Sequence, residues 1–282
     1  MAIGKLLPIF TLAIGACVFS GCLADKTEFE WRQAWTATAA FESPESAAIS
    51  RRHDAIFVSN VSGYEKNRNG FISRLSLAGE VLDLVWIDGL NAPTGLAVDE
   101  DTLWAVDFDR LVEIDIPSKT MRRYYPAPDA NPLLNDVAIA ADGEIFVTGS
   151  ASNTVYRRTD SALEPWSRDE DLLKYANGIY AEDEFVIVAA FNLIRISRSD
   201  RRAEKMGDER HPTDLEGVKP DAHGGLFVSA IGDRPLLHID GEGRVDELMR
   251  GSEFIADFDL VDDFLVAPTS PDTIEAFLIE RP

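Results

Sequence analysis

Cysteine is almost absent from this sequence of 282 residues, and basic residues are scarce. Both of its two cysteines lie before residue 25, so the rest of the chain cannot form a disulfide, use a thiolate nucleophile or bind a metal through sulfur. Lys and Arg number 27 against 49 Asp and Glu, a formal net charge of −22. This charge repels phosphate backbones and anionic bilayers, which excludes a nucleic-acid binder or a polybasic membrane binder. It attracts divalent cations, although most of the carboxylates are expected only to keep the surface solvated.

The one long apolar run stands at the start of the chain. Residues 6–19 follow a single charge, Lys5, and are too short for a membrane span, which predicts a secretory signal over residues 1–21. The run ends in Phe19-Ser20-Gly21-Cys22, which resembles the lipobox of bacterial lipoproteins, where the cysteine is lipidated. Cys17 is the alternative lipidation site, and an ordinary cleaved signal with an incidental cysteine also stays open. Cys22 is favoured because polar residues follow it closely.

Apolar residues at helical spacing are also missing, whereas short apolar runs recur. Six of them are rich in β-branched and aromatic residues and follow a turn signal, which predicts strands: Ala55 to Val58, Leu103 to Val106, Ile145 to Val147, Phe185 to Val188, Leu226 to Val228 and Phe264 to Val266. Each is preceded by an apolar stretch and followed by an alternating strand. The preceding stretches open on Glu45, Thr94, Asn135, Asn177, Glu216 and Ala256, a period of roughly forty residues.

This period, with several strands per unit, predicts an all-β, six-bladed β-propeller. A β-sandwich is disfavoured because it rarely repeats one order of turn and strand six times. The stretch around Glu30 to Ala40 precedes the first blade and is expected to complete the last one, closing the ring and covering its edges. The predicted organisation is a signal peptide over 1–21, a lipidated tether over 22–29 and the propeller over 30–282. The insertion at 64–70 is expected to be a surface loop or a lid over the channel.

The openings of the six units are expected to converge, because the innermost strand of each propeller blade lines the central channel. They supply Glu45, Asn135, Asn177 and Glu216, with Asp136, Asp214 and Asp257 nearby. Carboxylate and amide oxygens suit a hard cation such as Ca²⁺. Zn²⁺ stays open as the alternative, although it favours His or Cys and none of the four histidines lies at these positions. Asn and Asp before Gly also form turns, so each of these residues taken alone could simply be a turn residue.

The motifs at these positions resemble the SMP-30/gluconolactonase/LRE-like family of six-bladed propellers, which includes metal-dependent lactonases. They are Glu42-Ser43-Pro44-Glu45-Ser46, Leu134-Asn135-Asp136-Val137, Ala176-Asn177-Gly178 and Leu215-Glu216-Gly217-Val218. The resemblance spans roughly residues 42–280. It implies that Glu45, Asn177 and Glu216 hold the metal and that Asn135 binds substrate. Glu42 is the alternative to Glu45.

Two departures from this family bear on the substrate. The family aspartate is Glu216 here, and the arginine that precedes the Asn-Asp pair in sugar lactonases is replaced by Leu133. A less polar lactone or ester is therefore expected, with Glu216 or Asp214 as the general base. No Gly-x-Ser-x-Gly occurs, so no serine nucleophile is indicated.

Two functions follow from these patterns. One is a metal-dependent hydrolase of a lactone or related ester, and the other is a non-catalytic propeller that binds a small ligand or a protein. Either is expected to be a monomer on the periplasmic side of a bacterial envelope. A lipid would anchor it there, with the outer membrane favoured because Leu23 rather than Asp follows the cysteine.

Overall fold

Six four-stranded antiparallel sheets form the part of the chain that the computed structural model describes, residues 29–207, 211–231, 236–249 and 255–280. Strands are the only regular secondary structure in these ranges, and none of their segments is a helix long and apolar enough to cross a membrane. Cys17 and Cys22 lie outside the described residues. The prediction of an all-β, six-bladed β-propeller is confirmed.

The strands follow one another from the channel outward in each blade. Blade 1 contains β2 (Pro44–Ser50), β3 (Ala55–Asn60), β4 (Gly70–Leu75) and β5 (Val81–Leu90); blade 2 contains β6 (Pro93–Asp99), β7 (Thr102–Asp107), β8 (Arg110–Asp115) and β9 (Thr120–Pro126); blade 3 contains β10 (Leu134–Ile139), β11 (Ile145–Gly149), β12 (Thr154–Arg158) and β13 (Leu163–Arg168). Blade 4 contains β14 (Ile179–Ala181), β15 (Phe185–Ala189), β16 (Leu193–Ser197) and β17 (Ala203–Lys205); blade 5 contains β18 (Leu215–Pro220), β19 (Leu226–Ala230), β20 (Leu236–Ile239) and β21 (Val245–Met249); blade 6 contains β22 (Asp259–Val261), β23 (Phe264–Ser270), β24 (Thr273–Glu280) and the amino-terminal β1 (Glu30–Thr38).

Strand β1 closes the ring as predicted. It pairs with β24 in antiparallel register from Glu30 opposite Glu280 to Thr38 opposite Thr273. Trp35 also donates its indole N–H to the carbonyl of Leu77 at 3.0 Å, which ties the last blade to the first. The outer edge of blade 6 is therefore hydrogen-bonded by the other end of the chain, which removes an edge open to association.

The core is divided among the interfaces between neighbouring blades. One cluster joins Phe57 and Ile72 of blade 1 to Leu96 and Val112 of blade 2, and each of the other interfaces has a similar cluster. These β-branched and aromatic side chains are almost fully buried. Each contributes roughly 1.5–3 kcal/mol by leaving water. This stacking fixes the six innermost strands around one channel.

Candidate functional site

One end of the central channel collects the polar side chains that open the innermost strands. We call this end the upper mouth, and we call Glu45, Asn135, Asn177 and Glu216 the four anchors. Glu45, Asn135 and Glu216 lie at the second residue of β2, β10 and β18, and Asn177 lies two residues before β14. Three anchors are therefore strand residues, so the alternative that they only form turns does not apply to them.

A β-bulge is present near the start of the innermost strand in four of the six blades. In blade 1 Pro44 pairs with Asn60 and Ala47 with Val58, so three residues of β2 span two of β3. The same shift occurs in β6, β10 and β18. Because a bulge bends the strand and redirects its side chains, the repeat gives the anchors of blades 1, 3 and 5 the same local geometry.

A left-handed backbone conformation occurs two residues before each of the four anchors. The φ angles there are 52° at Ser43, 43° at Leu133, 57° at Tyr175 and 56° at Asp214. Such angles are unfavourable for residues other than glycine, so the packing around the mouth holds them in place. The chain thus enters three of the blades through one motif, a left-handed residue followed by the bulged anchor, and enters blade 4 through the left-handed residue alone.

Hydroxyl groups of the second strands satisfy the backbone N–H groups that the bulges leave unpaired. The N–H of Asp136 donates to Thr148 Oγ1 at 3.0 Å, and the N–H of Gly217 donates to Ser229 Oγ at 2.7 Å. The Thr148 hydroxyl in turn donates to the carbonyl of Asn177 in the next blade. Each hydroxyl therefore fixes a bulge, and that of Thr148 also connects its bulge to the anchor of the next blade.

We expect Thr148→Val to lower the free energy of unfolding by about 1–3 kcal/mol, because it leaves a buried N–H and a carbonyl without a partner while keeping the side-chain shape. Urea denaturation measures the loss. Thr38→Val, an exposed position on β1, is the matched control and should change stability by less than about 0.5 kcal/mol. Equal effects of the two substitutions would contradict this role of Thr148.

Glycines beside the anchors allow neighbouring blades to approach closely. A Cβ on Gly178 would lie 2.3 Å from the carbonyl oxygen of Glu216, and one on Gly217 would lie 2.9 Å from Asp257 Oδ1. The Gly178 N–H instead donates to that Glu216 carbonyl at 2.6 Å. The Asn177-Gly178 and Glu216-Gly217 pairs thus serve contact between blades, which draws Asn177 and Glu216 together.

The anchors carry oxygen atoms that the described residues leave unsatisfied. Asn177 Nδ2 donates to Glu216 Oε2 at 2.8 Å, whereas the buried Asn177 Oδ1 has no hydrogen-bond partner. The half-buried carboxylate of Glu45 and the half-buried side chain of Asn135 make no hydrogen bond in the described part of the chain. Blades 1, 4 and 5 therefore present free acceptors to one small region.

Burial and neighbouring carboxylates raise the pKa values of the two glutamates. Burial raises the pKa of Glu45 to about 8, and the charge of Glu216 is the next largest cause. Burial also raises the pKa of Glu216 to about 7, while the hydrogen bond from Asn177 partly opposes the shift. Nearby carboxylates act in the same direction as burial: the charge of Glu216 raises the pKa of Glu45, and the charges of Asp257 and Asp214 raise the pKa of Glu216. The site is therefore short of positive charge.

Asp214 and Glu42 lie at the edge of the mouth rather than inside it. Asp214 is exposed but close enough for its charge to raise the pKa of Glu216. Glu42 is also exposed and accepts a hydrogen bond from the Ser62 hydroxyl at 2.7 Å. Between the two alternatives of the first blade, the structure brings Glu45 next to Glu216.

The two aspartates expected near the ring hold the channel wall together. Asp136 accepts hydrogen bonds from the N–H groups of Val137 and Ile179, and Asp257 accepts one from the Ser46 hydroxyl at 2.6 Å. Lys219, which the sequence patterns did not single out, lies below them. Asp136 and Asp257 are therefore bonded within the channel wall.

Lys219 is the positive charge shared by these aspartates. Its ammonium lies 3.6 Å from Asp257 and 3.9 Å from Asp136, and its side chain is 13% exposed. Burial is the largest single influence on the pKa of Lys219 and lowers it, but the charges of Asp257, Asp136 and Asp259 together raise the pKa above its ordinary value. Lys219 thus balances the negative charge of the aspartates within the channel, and Glu45 and Glu216 have no ion pair with it.

Tyr64 brings the insertion of the first blade to the mouth. Desolvation and then the charges of Glu45 and Glu216 raise the pKa of Tyr64 above its ordinary value, although the side chain as a whole is 59% exposed. The same insertion is tied to the second blade by an ion pair of 2.5 Å between Lys66 and Asp109. The insertion therefore lies near the mouth, and its role as a lid stays a prediction. The length of the first repeat was the signal that pointed to it.

The donor set fits a hard divalent cation. In the described ranges no group of three or more His, Cys, Asp or Glu side chains is arranged to hold a metal ion, so a cation here needs the amide oxygen of Asn177 beside the two glutamates. Asn177 Oδ1 is buried and free, and the two carboxylates repel each other. Oxygen-only donors of this kind suit Ca²⁺, which takes about six to eight oxygens, several of them from water.

The charge of the channel predicts how the cation-free protein responds to pH. The pKa values of Glu45, Glu216 and Asp136 are raised in the folded state. The folded protein therefore binds more protons than the unfolded chain between about pH 4 and about pH 8, and its stability falls as the pH rises through this range. Urea midpoints in excess chelator from pH 5 to pH 8 should decrease. A constant or rising midpoint would contradict the repulsion described above.

The fold and the mouth define a class of protein, a six-bladed propeller with an acidic oxygen-donor site at one end of its channel. In sequence, no protein-family model and no curated protein matches the chain. In structure it is similar to a gluconolactonase from Xanthomonas campestris, with a TM-score of 0.69, 15% identity and coverage of 87% of this chain and 88% of the other. It is also similar to virginiamycin B lyase from Staphylococcus aureus, with a TM-score of 0.66, 12% identity and coverage of 89% and 99%. At these identities the likeness shows the fold.

Proposed function

We propose that this protein is a metal-dependent hydrolase of a lactone or related ester, acting at the upper mouth. The observation that carries the proposal is the convergence of Glu45, Asn177 and Glu216 from three blades with oxygens that lack partners. The structural likeness to a gluconolactonase and to virginiamycin B lyase supports an enzyme of this fold, and neither neighbour defines the substrate.

Glu45, Glu216 and Asn177 Oδ1 would hold the cation, Ca²⁺ in the first place. A divalent cation supplies Lewis acidity, which polarises an ester carbonyl and stabilises the oxyanion that forms when water attacks it. Asn135 has a free amide beside this position and would orient the substrate by hydrogen bonding. Asp214 is exposed and close to Glu216, so it can accept the proton of the attacking water and pass it to the alkoxide oxygen that leaves when the ester C–O bond breaks.

The test combines cation binding with turnover. Thermal melting is measured with Ca²⁺, with Zn²⁺ and with chelator, and hydrolysis of aliphatic and aromatic lactones is followed in each condition. We expect a cation to raise the melting temperature and chelator to abolish turnover. If no cation shifts the transition, the hydrolase proposal fails. If a cation binds and no lactone is hydrolysed, the protein is a non-catalytic binding propeller.

We also propose that the protein is exported and lipidated at Cys22, on the resemblance of Phe19-Ser20-Gly21-Cys22 to a lipobox. Incorporation of a labelled fatty acid in a bacterial host tests this. Cys22→Ser should abolish labelling, and Cys17→Ser should leave it intact. The reverse result would assign the lipid to Cys17, and labelling of neither cysteine would reduce the segment to an ordinary signal.

A further inference from the structure

Exposed apolar side chains gather around the upper mouth. Tyr175, Phe191 and Ile231 are 61%, 40% and 58% exposed. Tyr175 lies in the loop that enters blade 4, whereas Phe191 and Ile231 follow the second strands of blades 4 and 5. We call these three residues the apolar crescent. Tyr64 of the first blade is also exposed, and the charges of Glu45 and Glu216 act on its pKa. Large apolar side chains grouped at a mouth are a feature of ligand and partner sites.

Backbone hydrogen bonds join the loops of the apolar crescent into one continuous strip. The Phe191 N–H donates to the carbonyl of Lys174, next to Tyr175, at 3.1 Å. The Asp214 N–H donates to the carbonyl of Phe191 at 3.1 Å, and the Ile231 N–H donates to the carbonyl of Asp214 at 2.9 Å. The three side chains are thus held in a fixed order along the edge that carries Asn177 and Glu216.

The backbone at Tyr175 is strained, and its ring is exposed. A φ of 57° is a sparsely populated conformation for an aromatic residue and costs of the order of 1–3 kcal/mol. Lys174 lies 5.1 Å from the Tyr175 ring, so the one basic group of this strip is already placed against an aromatic face. Strain of this kind concentrates at ligand-binding positions.

The charge of the mouth restricts what the apolar crescent can bind. Glu45, Glu216 and Asp214 are acidic, and Lys219 is committed to aspartates lower in the channel. An anionic ligand is repelled, whereas a neutral carbonyl compound meets no penalty. A cavity of about 440 Å³ is lined by Glu45 together with Pro44, Pro268 and Pro271. It is large enough for a small organic molecule.

We propose that the apolar crescent binds the alkyl or aromatic group of a neutral lactone or ester whose carbonyl lies at Glu216 and Asn177. This assignment rests on the proposed hydrolase function and names its substrate class. The apolar group would displace water from Tyr175, Phe191 and Ile231, and each buried methylene adds free energy of binding in proportion to its area. Polyhydroxylated lactones would gain nothing from these side chains.

The test uses the holoprotein with Ca²⁺ and three lactones: γ-butyrolactone, γ-decalactone and glucono-δ-lactone. We expect kcat/KM to rise by about fourfold for each methylene that is buried, so that γ-decalactone exceeds γ-butyrolactone by at least about tenfold. Tyr175→Ser and Phe191→Ser should each reduce this ratio several-fold. Tyr124→Ser, an exposed tyrosine on the outer strand β9, is the matched control and should leave the ratio unchanged.

Binding of alkyl-substituted γ-lactams, which carry an amide in place of the ester, separates failure of the apolar crescent from failure of catalysis. Calorimetric affinity that rises with chain length and falls in Tyr175→Ser supports the crescent even if no lactone is hydrolysed, and in that case the hydrolase function alone fails. Turnover with no dependence on chain length, or a preference for glucono-δ-lactone, overturns the crescent and leaves the hydrolase function standing. A lactam affinity that does not depend on chain length also overturns the proposal that the apolar crescent binds the alkyl group.

Discussion

Glu216→Gln is expected to abolish most of the stabilisation that a divalent cation gives this protein. At a cation concentration of about 100 times Kd, binding to the folded state contributes about 2.7 kcal/mol, or a rise of about 5–10 °C in the melting temperature of a chain of this length. Glutamine keeps the shape and can still accept from Asn177 Nδ2, but it removes one of the two charges that attract the cation. Differential scanning fluorimetry with and without Ca²⁺ measures the change.

The same substitution should act in the opposite direction without cation. Glu216 is buried and repelled by neighbouring carboxylates, which is why its pKa is raised. Replacing it by a neutral isostere removes this repulsion, so cation-free Glu216→Gln should be as stable as the parent or more stable. Loss of stability in chelator would mean that Glu216 is a structural residue and would contradict its place in a cation site.

Glu42→Gln is the control that also separates the two glutamates of the first blade. Glu42 is exposed and bonded to Ser62, so its replacement should leave the cation-induced shift unchanged. Glu45→Gln should reduce the shift as much as Glu216→Gln does. A shift that survives in Glu45→Gln and disappears in Glu42→Gln would assign the site to Glu42.

Lys219→Met is expected to be the most destabilising single substitution in the channel, with a loss of about 3–5 kcal/mol in the free energy of unfolding at neutral pH. It removes the one positive charge shared by Asp136, Asp257 and Asp259 while keeping the aliphatic volume. These carboxylates are buried or nearly so, and Asp136 and Asp259 accept backbone hydrogen bonds that link neighbouring blades. Urea denaturation measures the loss.

Two further variants make the Lys219 result interpretable. Lys119→Met removes an exposed lysine paired with Asp83 at 3.2 Å and should cost at most about 1 kcal/mol. Adding Asp257→Asn to Lys219→Met should restore part of the lost stability, because the amide oxygen can still accept from Ser46 without a buried charge. A cost at Lys219 no larger than that at Lys119, or no restoration by the second substitution, would show that the channel charges are not coupled as described.

The repeat and the positions of the inner strands followed from the sequence because burial controls their composition. The second and third strands predicted for each blade match the observed ones to within a few residues: β3 and β4, β7 and β8, β11 and β12, β15 and β16, β19 and β20, and β23 and β24. The predicted Glu30 to Ala40 strand is β1. The fourth strands were not identified. Strands such as β9 (Thr120–Pro126) and β17 (Ala203–Lys205) are largely exposed, so their residues carry no alternation that distinguishes them from loops.

The site followed from the sequence only in part. The period placed Glu45, Asn177 and Glu216 at equivalent positions, and this sufficed to expect their convergence. The repeat period could not show which acidic side chains already have hydrogen-bond partners. Asp136 and Asp257 differ from the anchors in those partners and not in their spacing. A single lysine within a strand gives no signal of its own. The apolar crescent was not predicted for a similar reason, because the exposure of Tyr175 or Ile231 depends on how the loops fold.

The most direct measurement is the position of the cation in a crystal of the protein grown with Ca²⁺, with diffraction data collected at a long X-ray wavelength. The account predicts one anomalous peak at the upper mouth, about 2.3–2.6 Å from carboxylate oxygens of Glu45 and Glu216 and from Asn177 Oδ1. A peak at Glu42, a peak in the channel beside Lys219, or a mouth that contains only water at saturating Ca²⁺ would contradict it.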